Sequence, residues 1–404
     1  MRVLITDGNE RAALAAARSL RAAGHEVHVA ADVNPCLAGV SRGVHRCLSH
    51  ADPLCDPSAY AAELGALVRE RGIDLVLPLA DPSVEAVLEH RTALPRETVL
   101  PFPDLQTYQA ASDKVRACHL AECVGLGVPD TRVMLTAAAW PDAIPEESFF
   151  PAVVKPHRSV ARVGAVRLKL GVTPVPDASA CRSVLATLPP AAFPVLLQRR
   201  VVGPGEGLFV LRWNGRAVAL FAHRRLRENP PSGGVSVYRE SIPLAPALVD
   251  PGLQLLDMLD WQGVAMIECK RELATGRYVL MELNGRFWGS LQLAVDAGVD
   301  FPALLVRCAA GELVPECSHY RVGVRSRWFW GDVDHLYLRL RRSPPADPHL
   351  QNGDGSRLGA VLEFLHHRPR RDRSEVWRWR DPAPFVVETL QWLHVLAKHP
   401  PARP

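Results

Sequence analysis

The sequence predicts an α/β amino-terminal domain of Rossmann-like type, an α+β region after it, and a small carboxyl-terminal extension. Three observations carry this reading. Strands alternate with helices over residues 1–103, shorter strands with Pro/Gly turns follow from about residue 130, and Arg and Trp become frequent beyond residue 315. A chain of 404 residues is also too long for one ordinary core. The boundaries fall at 1–103, 104–195, 196–315 and 316–404.

In the first segment "RVLITDG" reads as a buried strand, "NERAALAAARSLRAAG" as an Ala-rich helix ending at Gly24, and "HEVHVAAD" as a second strand. The helix "PSAYAAELGALVRERG" and the strand "IDLVLPLA" repeat the alternation. "DPSVEAVLEHR" then opens a helix, with Asp81 as its cap and Pro82 at the first position. Asp32 stands 24 residues after Gly8, near the distance of a ribose-binding acid. The first turn, "TDGNERAA", nevertheless lacks the second and third glycines that bring backbone up to a pyrophosphate. A structural Rossmann-like domain is expected in place of an NAD site. "LPRETVLPFPD" is a linker, and "QTYQAASDKVRACHLAECVGLGVP" gives two helices with a break at Ser112–Asp113.

Hydrophobic content of 48%, charged content of 22% and a net charge of +4 fit a soluble globular chain and do not indicate nucleic-acid binding by the whole protein. Only five of the 47 basic residues are lysines: 114, 155, 169, 270 and 398. In so Arg-biased a chain, a retained lysine marks a place where a compact ammonium suits better than a guanidinium fork. Nine scattered cysteines without a CxxC pair predict free thiols and a cytoplasmic setting. No apolar run reaches the ~20 residues a membrane span needs.

The densest chemistry lies in two strands, "GVAMIECKR" and "RYVLMELNGR", joined by "ELATG". Glu268 and Glu282 are symmetric about Thr275, so a regular hairpin sets them opposite each other on one face. That face would also carry Lys270, Tyr278, Leu280, Asn284 and Arg286, with Val279, Met281 and Leu283 buried behind. Opposed like charges destabilise a hairpin unless a cation joins them. An oxygen-only set favours Mg²⁺ or Mn²⁺ over zinc, with phosphates as further ligands. Arg286 is then placed to grip an oxyanion. The alternative is an exposed face on which Glu268–Lys270 and Glu282–Arg286 form solvated pairs.

Other segments offer partners for phosphates. Lys155 ends the apolar strand "FFPAVVKPH", where an ammonium calls for an anion; a Lys snorkelling at a strand exit is the alternative. "HRSVARVG" is a small polar loop. The strand "PVLLQRRVVGPGEG" could offer backbone to a purine edge, and Glu206 could accept from a ribose hydroxyl. "AHRRLRENPPSGG" sets His223, Arg224, Arg225 and Arg227 before Gly233–Gly234, either as an acidic-substrate site with a lid or as an ordinary basic strand and loop.

In this order the pieces resemble the ATP-grasp superfamily, most closely the carboxylate–amine ligases related to biotin carboxylase and carbamoyl-phosphate synthetase. The resemblance covers residues 1 to about 315 and is most specific at Glu268, Glu282, Asn284 and Arg286. It implies ATP between two α+β subdomains. Lys114 and Lys155 would contact its phosphates, Gln198, Arg199, Arg200 and Val201 would bind adenine, and Glu206 would lie near the ribose. Glu268, Glu282 and Asn284 would hold Mg²⁺ or Mn²⁺. Arg286 and Arg227 would stabilise charge on the transferred phosphoryl group, and Arg224, Gly233 and Gly234 would meet substrate. The implied reaction phosphorylates a small carboxylate and couples it to an amine, releasing ADP and phosphate. The alternative function is an ATP-binding module without ligase activity, acting as a sensor or scaffold. The chain departs from the family at Gly285, where proline is usual, and at Arg199, where an acid is usual. The tail motifs "RSRWFW" and "EVWRWRD" suggest cation–π packing against the core, a homodimer surface or a wall of the substrate pocket more than nucleic-acid binding.

Overall fold

Three short apolar strands and a fourth, half-exposed one build the first sheet: β1 (Arg2–Ile5), β2 (Glu26–Ala31), β3 (Arg46–Ser49) and β4 (Leu75–Leu77), all parallel in the order β3-β2-β1-β4. The computed structural model describes residues 1–137, 144–164, 166–231, 233–341, 356–366 and 371–398. The loop expected at "SPPADPHLQNGDGS" lies outside these, Ser356 excepted. Helix α1 (Arg11–Ala22) buries its alanines against the sheet, and α2 (Pro57–Arg71) is capped by the Asp56 carboxylate on the Ala59 N–H. Such caps satisfy amides that a helix start leaves free.

The turn after β1 is closed by its own side chains. Asp7 sits at φ 56° and accepts from the Leu79 and Ala80 amides and from Ser83. A Cβ at Gly8 would lie 2.6 Å from Cys36 Sγ. The crevice that holds dinucleotides in open α/β sheets is thus filled by protein.

Asp81 does not cap α3 (Asp81–Glu89). Ala80 is the N-cap residue, and no side chain bonds to the first amides. Asp81 is instead the first helical residue, and its carboxylate is drawn away to a stronger cationic partner described below. After it come α4 (Leu105–Ser112) and α5 (Lys114–Cys123), capped by Asp104 and Asp113.

A second, antiparallel sheet has the order β5-β10-β6-β9, from β5 (Thr131–Met134), β6 (Ala152–Pro156), β9 (Thr173–Val175) and β10 (Val195–Arg199). Between them β7 (Val160–Val163) and β8 (Val166–Lys169) form a separate hairpin. Its Arg167 pairs with Glu89 and donates to the Pro82 carbonyl, which ties the hairpin to the amino-terminal domain.

The third sheet is the largest. It comprises β11 (Gly205–Trp213), β12 (Arg216–Asn229), β13 (Val235–Ser241), β14 (Gly263–Arg271), β15 (Tyr278–Asn284), β16 (Arg325–Arg327) and β17 (Asp372–Ser374), in the order β15-β14-β11-β12-β13-β16-β17. The last two strands come from beyond residue 315, so the tail extends this sheet. Arg–aromatic packing and ion pairs seat it. Arg11 lies 3.9 Å over Trp328, Trp330 stacks on Trp392 at 4.1 Å, and Arg18 pairs with Asp381 at 2.8 Å. Among the described residues, no helix is long and apolar enough to cross a membrane.

Candidate functional site

Glu268 and Glu282 are direct partners across β14 and β15. The hairpin is not regular, however. Near the turn Arg271 pairs with Tyr278 and Lys270 with Val279, a register that continued evenly would set Glu268 opposite Met281. A bulge between Glu268 and Cys269 takes up one residue and brings Glu282 across instead. Side chains alternate along a strand, so the bulge also corrects the expected face. Tyr278 and Leu280 lie with Cys269, opposite the carboxylates, while Val279 shares the face of Lys270 and Glu268.

Four cations surround the acid pair. Arg225 Nη2 lies 2.7 Å from Glu268 Oε2. Lys114 Nζ lies 3.0 Å from Glu282 Oε1 and donates to Ser159 Oγ at 3.2 Å. Lys114 is 6% exposed, and its own amide donates to the His157 carbonyl, which fastens α5 to the chain leaving β6. The side chain of Lys155, on β6, has no hydrogen bond or ion pair among the described residues. Burial lowers the pKa of its ammonium, against the pull of Glu282 and Glu268, and Lys114 adds to the lowering. Lys270 donates to the Val201 carbonyl at 3.0 Å, and burial lowers its pKa too. For Arg225, burial works against the charge, but Glu268 and Glu228 outweigh it and raise the pKa.

Arg286 turns toward the amino-terminal domain. Its Nε and Nη2 lie 2.9 and 2.8 Å from Asp81 Oδ2, and Tyr108 donates to Asp81 Oδ1 at 2.9 Å. Nη2 also reaches Asn284 Oδ1 at 3.4 Å. Gly285 has a steric cause: a Cβ there would lie 2.4 Å from Trp261 Cη2 and 3.0 Å from Tyr108 Cε2. The backbone between Asn284 and Arg286 is pressed onto two buried aromatic rings, and only glycine fits. Phe287 and Trp288 are buried behind it, at 1% and 2% exposure. Asp81, Glu85, Ser159, Glu282 and Asn284 line one small pocket.

The hinge residues divide. Gln198 is 3% exposed and donates to Thr131 Oγ1 at 3.1 Å, while its Oε1 is buried without a partner. Val201 presents its carbonyl to Lys270. The Arg200 amide donates to the Pro151 carbonyl. Arg199 is exposed and lies over Phe149 near Asp130, away from Gln198. Glu206 pairs in register with Cys269 and accepts from Tyr278 at 3.0 Å, on the sheet face opposite Glu268. Arg224 binds Glu240 at 2.6 Å. Arg227 is buried, forks onto Asp332 at 2.6 and 2.7 Å and lies 4.4 Å over Tyr238, so it clamps the tail and is not brought to the acid pair. Gly233 has φ 126°, and the Gly234 carbonyl accepts from Arg225 at 3.1 Å.

Sequence reasoning named Arg225 only as one of four basic residues before the lid and Lys270 only on the hairpin face, and it gave no site role to Ser159, Asp81 or Tyr108. Two signals were there to find some of them. The scarcity of lysine pointed at Lys270, and strand alternation from His223 places Arg225, not Arg224, on the carboxylate face. Nothing local in the sequence couples Asp81 to Arg286, 205 residues away.

No protein-family model and no curated protein matches the sequence. Solved structures do match. An L-amino acid ligase from Bacillus licheniformis superposes with a TM-score of 0.60 at 17% identity, covering 77% of this chain and 74% of that one. The biotin carboxylase domain of a Hydrogenobacter thermophilus 2-oxoglutarate carboxylase, solved with MgADP and bicarbonate, gives 0.61 at 14%, covering 80% and 73%. N5-carboxyaminoimidazole synthetase from Staphylococcus aureus gives 0.59 at 14%, covering 80% of each chain. The chain has the ATP-grasp fold. These neighbours are ATP-dependent ligases, and at such identities the likeness is one of fold. Lys155, on the second sheet, feels the charge of Glu282 and Glu268 on the third.

Proposed function

We propose that the protein is an ATP-dependent ligase that joins a small carboxylate to an amine. One observation carries the reading: the opposed Glu268–Glu282 pair, faced by Lys114 and Lys155 from outside its own sheet. Opposed acids ringed by cations suit a metal–phosphate cluster better than a bare surface.

The residues fit both expected ligands. Glu268, Glu282 and the Asn284 carbonyl oxygen form an oxygen-only set that would hold Mg²⁺ or Mn²⁺, whose chemistry is to neutralise phosphate charge. The buried, unpartnered Gln198 Oε1 is an acceptor suited to the exocyclic amino group of adenine. Lys155 and Lys114 would orient the phosphates, and Lys270 would hold the Val201 carbonyl in place. Arg286, aimed by Asp81, would stabilise charge on the phosphoryl group in flight. We assign the second basic role to Arg225 in place of Arg227, because Arg225 touches Glu268 and Arg227 is spent on Asp332. Gly233 and Gly234 remain the proposed lid, linked to the acid pair through Arg225. Glu206 and Arg224 receive no role at the nucleotide.

The chemistry balances without a protein nucleophile. A substrate carboxylate oxygen attacks the γ-phosphorus and ADP leaves. The amine nitrogen then attacks the acyl carbon, phosphate departs, and the nitrogen loses a proton. Positioning and electrostatics suffice for phosphoryl transfer of this kind.

The test is ADP release across pools of amino acids and small acids, with Glu282→Ala as the blank. Turnover that needs both an acid and an amine, and is lost in Glu282→Ala, is expected. Normal turnover by Glu282→Ala or Arg286→Ala would refute the site. Mg²⁺-ATP binding with no ADP release on any acid–amine pair would favour a non-catalytic nucleotide sensor.

A further inference from the structure

A second cluster of ligating side chains lies on the amino-terminal sheet. Glu26 and His28 are two apart on β2 and so share a face. His45 stands just before β3, fixed by its amide donating to the Val27 carbonyl at 2.7 Å. Glu26 Oε1 lies 2.9 Å from His28 Nε2 and 3.8 Å from His45 Nε2. The three ligand atoms lie within 4.8 Å of one another. We propose that Glu26, His28 and His45 form a zinc site that ties β3 to β2.

The chemistry selects the ion. Two imidazole nitrogens and one carboxylate oxygen suit Zn²⁺, whereas Mg²⁺ seeks oxygen alone. The acid pair at Glu268 and Glu282 is of the latter kind, so the two sites separate by ligand type. Preorganisation favours the site as well. His28 is 1% exposed, so packing holds its ring with Nε2 aimed at Glu26 and little side-chain entropy remains to be lost. Arg2 Nε lies 3.4 Å from Glu26 Oε2, the other carboxylate oxygen, and leaves Oε1 to the ion. The His45 side chain, 57% exposed, is free to swing the short distance that tetrahedral ligation requires, and the fourth position opens to solvent for a water. Metal binding there would join the edge strand, which is partly exposed, to its neighbour, which is buried from Val27 onward.

The test uses the full chain without a polyhistidine tag, titrated with Zn²⁺ in excess Mg²⁺ by calorimetry. One zinc per chain is expected, with a rise in Tm on zinc addition. His45→Ala and Glu26→Gln alter exposed or half-exposed groups and should fold; each should weaken binding by at least about tenfold and abolish the Tm rise. Co²⁺ in place of zinc should give visible d–d bands without thiolate charge transfer, which separates this site from the nine free cysteines. Unchanged affinity in both variants, a thiolate band, or no saturable binding would overturn the proposal.

Discussion

Asp81→Asn tests whether the amino-terminal domain aims the arginine of the candidate site. The carboxylate receives Arg286 at 2.8 and 2.9 Å and Tyr108 at 2.9 Å. The two ionic side chains are 24% and 20% exposed, between the fully buried and the fully solvated case. Breaking a buried pair costs about 3–5 kcal/mol, and an exposed pair is worth about 0–1 kcal/mol. Asparagine keeps the oxygen for Tyr108 and loses only the charge, so a loss of about 2 kcal/mol follows. Burial pushes the Asp81 pKa up, but the charge and hydrogen bonds of Arg286, the Tyr108 hydroxyl and Lys114 together hold it below the usual carboxylate value. This contribution is therefore present above the unfolded-state pKa and is lost as pH falls through the folded one. Asp81→Asn should flatten that acid limb. If Arg286 stabilises the transferred phosphoryl group, freeing it should lower kcat by about 10- to 100-fold with little change in the KM for ATP. Urea unfolding at several pH values gives the first quantity and ADP release the second. Wild-type stability together with wild-type kcat would refute the coupling.

Four further outcomes follow from the same geometry. Gly285→Ala drives a Cβ into Trp261 and should destabilise the fold by about 1–3 kcal/mol and lower kcat, as read by thermal melting and ADP release. Arg225→Met should weaken Mg²⁺-dependent nucleotide binding, because the phosphates lose the guanidinium held beside Glu268, as a nucleotide titration at varied Mg²⁺ would show. Arg227→Met should loosen the tail and leave nucleotide affinity in the still-folded protein unchanged; limited proteolysis and the same titration separate the two. Glu388, in the tail helix, is raised to about 7 by burial, against the Trp328 N–H that donates to it. A raised carboxyl favours folding at low pH, and that advantage is lost as pH climbs from its ordinary value near 4.5 toward 7. Glu388→Gln should therefore stabilise the protein at pH 8 by about 1–2 kcal/mol and have no such effect at pH 4.

Much of the architecture was legible because local chemistry sets it. Alternating apolar strands and Ala-rich helices marked the parallel sheet, Thr275–Gly276 marked the hairpin, and the missing glycines marked a closed first turn. What escaped reading was set by distant partners. Asp81 looked like a cap because an acid before Pro at a helix start usually is one, yet Arg286 offers a charge where the first amides offer dipoles. Arg227 looked like a phosphate hand because it follows three basic residues, yet Asp332 claims it from 105 positions away.

The hairpin shows how a correct pairing can rest on an incomplete reason. Symmetry about Thr275 pairs Glu268 with Glu282, but the observed turn is centred half a residue earlier and would regularly pair Glu268 with Met281. One inserted residue restores the acid pair and turns Tyr278 and Leu280 to the other face. Bulges concentrate where a strand must re-aim a side chain. Without this one, Glu282 would point into the apolar layer beside Leu280 and Cys269, where an unpaired carboxylate is costly. The bulge therefore stabilises the only register in which two acids, an amide and two lysines meet between the sheets. Deleting Met281 should straighten the hairpin and keep the flanking pairs. Glu282 then stands opposite Glu268 in an even register, so Mg²⁺-dependent nucleotide binding should survive the deletion better than it survives Glu282→Ala.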